Sequence, residues 1–307
     1  MQTAYISHPD CLLHDMGAGH PECPARLGAI TDQLIATGLL PYLQQHDAPL
    51  ATIEQLARVH QRAYIESIHM AAPQQGLFQI DPDTAMNPHT WKAALRAAGA
   101  AVLAVDLVMT GKVENAFCAV RPPGHHAESA RAMGFCIFNN VAVGVAHATA
   151  KYGLQRIAIA DFDVHHGNGT EQIFRDDARV MLCSTFQHPY YPYRGADSSN
   201  ERIVNVPLPA GTDGAAFSAA VSEHWLPALE RFQPEMLFVS AGFDGHRDDD
   251  MAQFQLVEAD YAWVTQQIKK VAAKHAHGRI VSLLEGGYEL HALGRSALAH
   301  IRELSGL

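Results

Sequence analysis

The chain has 307 residues, of which 48% are hydrophobic and 18% are charged. This composition, without a low-complexity tract, is typical of a globular protein and excludes a disordered chain. The formal net charge of −10 argues against sequence-independent nucleic-acid binding, because such binding needs a basic face that neutralises phosphates. No repeat or linker divides the sequence, so we expect one domain over residues 1–307.

Five cysteines occur without CxxC spacing, which favours reduced thiols over a disulfide framework or a cysteine zinc site. They are Cys11, Cys23, Cys118, Cys136 and Cys183. The start, MQTAYISHPD, lacks a secretory signal pattern, and no apolar run reaches the ~18 residues of a membrane-spanning helix. We therefore predict a soluble, cytoplasmic protein with neither nucleic acid nor a membrane as a partner.

The first part of the chain predicts a strand followed by several helices. The strand is at 3–7, and a loop rich in His, Pro and Gly leads from it to a helix at 24–37. Two short helices follow at 52–60 and 63–70, the first of which opens with a Thr-x-x-Gln capping box. A long Ala-rich helix is then predicted at 87–111, with an Asn-Pro pair at its start.

From residue 115 onward, apolar runs alternate with helical patterns. We predict strands at 115–120, 157–160, 179–185, 202–206, 236–240 and 279–284. We predict helices at 141–152, 215–232, 256–275 and 290–304, and a short helix that starts near Thr170. Alternation of this kind predicts a parallel sheet with helices on both faces, an α/β fold.

Residues 156–174, RIAIADFDVHHGNGTEQIF, lead from a buried strand into a set of metal-competent side chains. If the extended conformation continues, alternation places Asp161, Asp163 and His165 on one side. Ligands of open α/β sheets lie beyond the carboxyl ends of the strands, where this order places the three side chains. A buried Asp–His pair that only fixes a turn would give the same local pattern.

Three further strand ends carry polar side chains of the same kind. They supply the tandem His125 and His126, then Asp244, and then Tyr288. Together with the Asp-x-His of the first stretch they predict a catalytic metal site with three protein ligands and open positions. Mixed carboxylate and imidazole ligands suit Zn²⁺ or Fe²⁺.

The motifs RPPGHHA, GFCIFNN, DFDVHHGNGT, SAGFDGH and EGGY occur in this order along the chain. With them the sequence resembles the histone deacetylase and acetylpolyamine amidohydrolase family, and most of all its class II members. The resemblance implies an arginase-like three-layer αβα fold with a central parallel sheet. It also implies that Asp163, His165 and Asp244 hold the metal, which would activate a water for attack on an amide.

The resemblance implies roles for the residues around the metal. His126 would take the proton of the water and give it to the leaving amine, while His125 would assist electrostatically. Asp161 would orient the first histidine and Asn168 the second. Because Asn carries no charge, His126 should be less basic than with a carboxylate partner. Tyr288 would donate its hydroxyl to the oxyanion of the tetrahedral intermediate.

Other matched positions line the implied substrate tunnel. Phe135 and Tyr191 match its aromatic walls, and the carbonyl of Gly134 matches the acceptor for the substrate amide. Met251 falls where polyamine-selective members carry a glutamate, which favours acyl-lysine over a substrate with a distant ammonium. Arg26 matches an arginine that lines the internal product cavity.

A second cofactor, a structural K⁺, is also implied by the resemblance. Its matched ligands, some of them through backbone carbonyls, are Asp161, Asp163, His165, Ser184 and Thr185. At the tunnel rim, Tyr193 and Arg194 stand where small residues are common in the family, which predicts a bulkier or more polar rim. We interpret His166 as structural. Solvent-facing positions near the mouth are expected for His14, His20, His188 and His246.

We therefore expect a zinc-dependent amidohydrolase that removes an acetyl or other acyl group from the lysine-like side chain of a peptide or protein. An acetylpolyamine amidohydrolase with the same machinery, acting on a small acetylated amine, is the alternative. A two-metal ureohydrolase is disfavoured by the tandem histidines and Tyr288. A catalytically silent acyl-lysine binder is disfavoured because every matched catalytic position is filled. The sequence leaves the oligomeric state open.

Overall fold

A computed structural model describes residues 2–307, which form one eight-stranded sheet, a two-stranded sheet and flanking helices. The strands are β1 (Thr3–Ser7), β2 (Gln44–Asp47), β3 (Phe78–Asp81), β4 (Thr84–Met86), β5 (Asn115–Cys118), β6 (Ile157–Asp161), β7 (Val180–Gln187), β8 (Ile203–Leu208), β9 (Met236–Ala241) and β10 (Ile280–Leu284). The helices are α1 (Ala25–Ala36), α2 (Ile53–Leu56), α3 (Arg62–Ala71), α4 (Thr90–Met109), α5 (Asn140–Tyr152), α6 (Asn168–Phe174), α7 (Gly214–Ala220), α8 (Leu226–Phe232), α9 (Glu258–His275) and α10 (Leu290–Ser305).

The large sheet has the strand order β2-β1-β5-β10-β9-β6-β7-β8, and all its neighbouring strands are parallel. Its four central strands are buried along their whole length, as expected for short apolar runs covered on both faces. Helices α1, α10 and α9 pack side by side, and α4 packs against α5. The predicted layered α/β fold with a central parallel sheet is therefore confirmed.

Glycines permit the close helix packing of one layer. A Cβ atom on Gly99 of α4 would lie 1.9 Å from the carbonyl oxygen of Pro49, and one on Gly144 of α5 would lie 2.8 Å from the ring of Phe238. Because real side chains do not approach so closely, these two positions need glycine for the helices to reach their neighbours.

Several local predictions differ from the structure. Strand β2 and the β3–β4 hairpin were not predicted, because QQHD carries no apolar run and the hairpin is only three to four residues long per strand. Helix α4 begins at Thr90 rather than at residue 87, since the Asn87 side chain instead accepts hydrogen bonds from the His89 backbone N–H and the Thr90 hydroxyl in a turn before the helix. The helix predicted at 215–232 contains a π-helical turn at Val221–Trp225.

The four strand ends that carry site residues are neighbours in the sheet. They belong to β5, β10, β9 and β6, whose register pairs Cys118 with Leu283, Leu284 with Ala241, and Ser240 with Asp161. Because all four strands are parallel, their carboxyl ends lie at one edge of the sheet. This edge gathers side chains from segments that are far apart in the sequence.

Candidate metal centre and active site

Three buried side chains form a cluster suited to a metal ion at the edge of the sheet. One ligand atom each from Asp163, His165 and Asp244 lies within 4.8 Å of the others. The Nδ1 atom of His165 lies 3.1 Å from a carboxylate oxygen of both aspartates. Within residues 2–307 this is the one group of three or more His, Cys, Asp or Glu side chains placed to share an ion.

Two glycines leave room for the carboxylates of this cluster. A Cβ atom on Gly286 would lie 2.1 Å from Asp244 Oδ2, and one on Gly242 would lie 2.1 Å from Asp163 Oδ2. The backbone N–H of Gly286 also donates a 2.8 Å hydrogen bond to Asp163 Oδ2. The fold thus holds two carboxylates and one imidazole in place, and this donor set fits Zn²⁺ or Fe²⁺.

The electrostatics of the cluster favour a shared positive charge. Burial opposes the charging of His165, but its hydrogen bonds to Asp163 and Asp244 outweigh burial and raise its pKa to about 10. Burial and the neighbouring Asp163 raise the pKa of Asp244 to about 6. A proton on His165 therefore stabilises the pair of carboxylates without metal, and a divalent cation would displace that proton.

The tandem histidines lie beside the cluster, and each has its own partner. His125 Nδ1 donates a 3.0 Å hydrogen bond to Asp161 Oδ2, and His126 Nδ1 donates a 2.8 Å hydrogen bond to Asn168 Oδ1. The two imidazole rings are 4.0 Å apart between centroids. The structure thus brings Asp161 and Asn168 to the two histidines that the family resemblance pairs with them.

The two histidines differ in basicity. Burial lowers the pKa of His125, but Asp163 and Asp161 outweigh burial and raise it to about 10. Burial, together with the charge of His125 and His165, holds the pKa of His126 well below its usual value. Without a metal ion, the surroundings therefore favour the charged form of the His125 ring and the neutral form of the His126 ring.

Glu285 supports this arrangement from the end of β10. Its carboxylate accepts hydrogen bonds of 2.7 Å from the Gly124 N–H and 3.1 Å from the His125 N–H, and it is fully buried. Burial raises its pKa to about 7, although the charge of His125 opposes this effect. The EGGY motif therefore contributes a carboxylate that fixes the loop of the tandem histidines, a role that the sequence analysis did not assign.

A cavity of about 330 Å³ leads to the metal cluster and the histidines. Its lining residues are Asp83, His126, Gly134, Phe135, His165, Tyr190, Tyr191, Tyr193, Met251 and Tyr288. Four of them are the residues predicted for the substrate tunnel. Asp83 and Tyr190 were not predicted, because nothing in their local sequence distinguishes them from other loop residues.

Aromatic contacts shape the walls of the cavity. The ring of Phe135 packs edge to face on Tyr288 with centroids 5.7 Å apart, and Tyr191 packs on His126 at 5.2 Å. Gly134 adopts φ 56°, and a Cβ atom there would lie 2.4 Å from His126 Cδ2. Glycine at this position therefore lets the wall close against the ring of His126.

Buried charged residues pack against the Tyr288 ring and the backbone next to it. Arg26 is fully buried, lies 4.8 Å from the centroid of the Tyr288 ring, and donates a hydrogen bond to the Gly287 carbonyl. Its guanidinium also pairs with Glu22 at 3.0 Å, and Glu22 in turn pairs with Arg121. Burial raises the pKa of Tyr288 well above its usual value, so its hydroxyl keeps its proton.

The positions matched to the K⁺ ligands lie on β6, β7 and the turn between β6 and α6. Ser184 pairs with Asp161 across the two strands. In the described part of the chain, the buried hydroxyls of Ser184 and Thr185 have no hydrogen-bond partner. Asp161 ends β6, so the extended conformation does not continue to His165, and a turn carries Asp163 and His165 instead.

The expectation for two of the other histidines is also wrong. His14 is fully buried and lies 3.3 Å from Glu22, while His246 is buried and lies 3.5 Å from Glu258. Both are polar core residues rather than solvent-facing ones, each beside a carboxylate, and His14 Nδ1 also shares a 2.8 Å hydrogen bond with the Thr90 hydroxyl. His166 is buried with its Nε2 2.8 Å from Glu171, in agreement with a structural role.

Residues 20–304 match the histone deacetylase domain. The chain belongs to the histone deacetylase family. It is 39% identical over 332 residues to the histone deacetylase-like amidohydrolase of Pseudomonas aeruginosa, covering 100% of this chain and 87% of that protein. It is 38% identical over 333 residues to the polyamine deacetylase HDAC10 of Mus musculus, covering 100% of this chain and 48% of that protein.

A solved structure described as the HDA15 HD domain has the same fold. It superposes with a TM-score of 0.93 at 34% identity, over 99% of this chain and 88% of that one. As a member of the histone deacetylase family with such relatives, the protein is a deacetylase-type hydrolase that acts on amide bonds. None of the helices in residues 2–307 has the length and apolar character needed to cross a bilayer.

Proposed function

We propose that the protein is a zinc-dependent deacylase that removes an acetyl or other acyl group from a lysine-like side-chain amide. One observation carries this proposal. The cavity with walls of Phe135 and Tyr191 is also lined by His165 of the metal cluster, His126 and Tyr288. A narrow aromatic cavity suits a long unbranched chain, and the groups at its inner end are those that amide hydrolysis needs.

The side chains around the cavity suggest a separate role for each in the reaction. A divalent cation held by Asp163, His165 and Asp244 would supply Lewis-acid chemistry, lowering the pKa of water and polarising the amide carbonyl. With His126 Nδ1 occupied by Asn168, its Nε2 is free to take a proton from the water that attacks the carbonyl carbon.

The later steps use the same residues. The Tyr288 hydroxyl donates a hydrogen bond to the oxyanion, and the positive charge of His125 stabilises it through space. When the C–N bond breaks, His126 Nε2 returns its proton to the leaving nitrogen. The products are a carboxylic acid and a free amine.

Two cofactors are part of the proposal. The metal is Zn²⁺, with Fe²⁺ as an alternative that the same donor set would accept. A structural K⁺ would bind at Asp161, Asp163, His165, Ser184 and Thr185. The buried hydroxyls of Ser184 and Thr185, without a partner in residues 2–307, support this K⁺ site.

The uncharged Met251 in the cavity wall favours an acyl-lysine peptide as the substrate. Asn168, where many class I members carry Asp, supports a class II-like assignment. Two observations favour a second candidate, an acetylated polyamine. A relative named a polyamine deacetylase is 38% identical to this chain, and Met251 borders an outer pocket lined by Asp248, Asp250 and Glu289 that could attract a cation.

Acetate release from two substrates tests the proposal. The zinc-loaded protein is incubated with an acetyl-lysine peptide and, in parallel, with an acetylated polyamine, each with and without a chelator. We expect chelator-sensitive release from the peptide. Preference for the polyamine would overturn the substrate class and keep the metal chemistry, while binding of the peptide without release would make the protein a silent acyl-lysine binder.

Matched variants and metal content complete the test. Asp244→Asn removes a proposed ligand and should abolish both zinc binding and release. Asp250→Asn, which alters an exposed carboxylate six residues further on, should keep zinc binding and acetate release from the peptide. One tightly bound zinc per chain is expected, and two would favour the ureohydrolase alternative.

A further inference from the structure

The Asn168 side chain makes contacts on both sides of its amide group. Its Oδ1 accepts the 2.8 Å hydrogen bond from His126 Nδ1, and its Nδ2 donates a 3.0 Å hydrogen bond to Glu128 Oε1. We propose that Glu128 is a positioning residue, which fixes the orientation of the Asn168 amide and thereby the tautomer of His126. This inference rests on the proposed function, because it concerns the base of the deacylation step.

The orientation matters because an amide has a donor end and an acceptor end. With Oδ1 toward His126, the ring keeps its proton on Nδ1 and leaves Nε2 free to accept one. With the amide reversed, the NH₂ group would face Nδ1 and favour the tautomer that is protonated on Nε2. That tautomer cannot take a proton from water, so the amide orientation sets the fraction of competent enzyme.

Glu128 supplies the strongest preference for one orientation. A carboxylate accepts hydrogen bonds and repels a carbonyl oxygen, so it selects the NH₂ end of the amide. The other acceptors near Asn168 Nδ2 are the His126 carbonyl oxygen and Met133 Sδ, both at 3.4 Å. The contact with the carbonyl oxygen is long and the thioether sulfur is a weak acceptor, so these two uncharged groups favour the same orientation more weakly.

Glu128 is itself held in place from the rim of the cavity. Its side chain is 17% exposed, and Arg194 Nη1 donates a 2.8 Å hydrogen bond to the same Oε1 atom. Arg194 follows directly after the segment that places Tyr190, Tyr191 and Tyr193 in the cavity wall. A chain of three hydrogen bonds therefore joins the rim loop to His126 through Arg194, Glu128 and Asn168.

A protein with a carboxylate at position 168 would not need Glu128 to orient that side chain. Both oxygens of an aspartate accept hydrogen bonds, so the side chain presents an acceptor to His126 in either orientation. The requirement for Glu128 should therefore depend on the amide of Asn168. This dependence separates a positioning role from a general contribution to folding.

The experiment is a double-mutant cycle with E128A, N168D and the double variant E128A/N168D, with E66A as the control at an exposed glutamate on α3. Turnover of the acetyl-lysine peptide is measured together with zinc content. We expect E128A to lower kcat by about tenfold with little change in KM, because a fraction of the enzyme holds the wrong tautomer. In the N168D background the same substitution should cost less than about twofold. E66A should behave as wild type.

A spectroscopic measurement gives a second readout that needs no activity. The ¹⁵N shifts of the His126 ring, recorded for the metal-free protein, report which nitrogen carries the proton. The Nδ1–H form is expected in the wild type and a mixture of both forms in E128A. R194A should give a smaller change in the same direction.

Two results would overturn the inference. One is an equal loss of kcat on removal of Glu128 in the wild-type and N168D backgrounds. The other is an unchanged His126 tautomer in E128A. If the wild type itself releases no acetate, the proposed function fails, and the ring ¹⁵N shifts alone then decide the role of Glu128.

Discussion

The carboxylate of Asp249 accepts a 2.6 Å hydrogen bond from the backbone N–H of Tyr288. It also accepts hydrogen bonds of 3.0 Å from the Glu289 N–H and 3.0 Å from the Met251 N–H. One buried carboxylate thus fixes the backbone of the proposed oxyanion donor relative to the cavity wall. Asp249→Asn would turn an NH₂ group toward at least one of these N–H donors and should lower kcat by about tenfold.

The neighbouring Asp250 provides the control for Asp249, since it is exposed. Asp250→Asn should leave kcat within about twofold of wild type, as is usual for surface substitutions. Turnover of the acetyl-lysine peptide and zinc content are measured for both variants. Equal activity of the two variants would show that the backbone of Tyr288 does not depend on Asp249.

Tyr288→Phe removes only the hydroxyl and should lower turnover at least tenfold, since loss of one oxyanion donor typically costs ~10²–10³ in rate. The ring contact with Phe135 and the packing of Arg26 do not involve the hydroxyl, so folding and zinc content should be unchanged. Steady-state kinetics and metal analysis check both expectations. An unchanged kcat would remove Tyr288 from the mechanism.

Gly286→Ala should abolish metal binding, because the added methyl group would lie 2.1 Å from Asp244 Oδ2 and 2.6 Å from Asp163 Oδ2. Gly28→Ala is the matched control, since its Cβ atom would meet nothing within 4 Å in α1. The control should keep its zinc and gain up to ~1 kcal/mol of stability. Zinc titration followed by calorimetry distinguishes the two, and zinc affinity of wild-type strength in Gly286→Ala would contradict the proposed ligand arrangement.

Two buried neutral histidines predict that stability is lost at acid pH. Burial lowers the pKa of His60 to about 4 and that of His300 to about 3, from the usual 6.5. The unfolded chain therefore binds protons below pH 6.5 that the folded chain does not accept. This stabilisation is complete above pH 6.5 and falls as the pH decreases toward 4, by up to ~1.4 kcal/mol per pH unit for each histidine.

His300 is the better of the two for a test, because its partners are the side-chain hydroxyls of Thr265 and Ser282. His60 instead bonds the backbone of Glu128 and Asn139, which belong to the loops around the tandem histidines. Urea unfolding of the metal-free protein between pH 4.5 and 7 gives the slope of stability against pH. His300→Gln should reduce that slope by up to ~1.4 kcal/mol per pH unit. An identical slope in the variant would mean that His300 does not carry the effect.

Met251→Glu should shift selectivity toward acetylated polyamines. The new carboxylate would lie in the wall of the cavity, beside the outer acidic pocket, where it could pair with a distal ammonium. We expect the ratio of kcat/KM for polyamine over peptide to rise roughly three- to tenfold, as for a partly exposed ion pair. Met251→Gln has a similar shape without the charge, and an equal shift in that variant would exclude the electrostatic explanation.

The fold and the cluster of site residues could be predicted because they depend on local pattern and on one topological rule. Apolar runs such as IAIAD identify buried parallel strands, and parallel strands bring their polar ends to one edge. The pattern therefore predicts one site from the separate positions of Asp163, Asp244 and Tyr288. The edge strand β2 was missed because its QQHD sequence has no such run.

The residues that support the site could not be predicted in the same way. Glu285 and Glu128 act through hydrogen bonds to side chains and backbone up to 161 positions away, so their partners exist only in the folded chain. A buried acid at the end of an apolar strand was a usable signal for Glu285. Glu128 carried no such signal, since it follows the tandem histidines in a polar loop.

The position of β10 has a consequence for how the protein folds. This strand lies in the middle of the sheet between β5 and β9, yet it comes after every other strand in the sequence. During translation, at about 5–20 residues per second, the other strands of the sheet are synthesised first. The position between β5 and β9 therefore stays unpaired until β10 has been made. The N–H of Gly286 completes the hydrogen bonding of Asp163, so the chain beyond β10 must be synthesised before the proposed metal site has its final geometry.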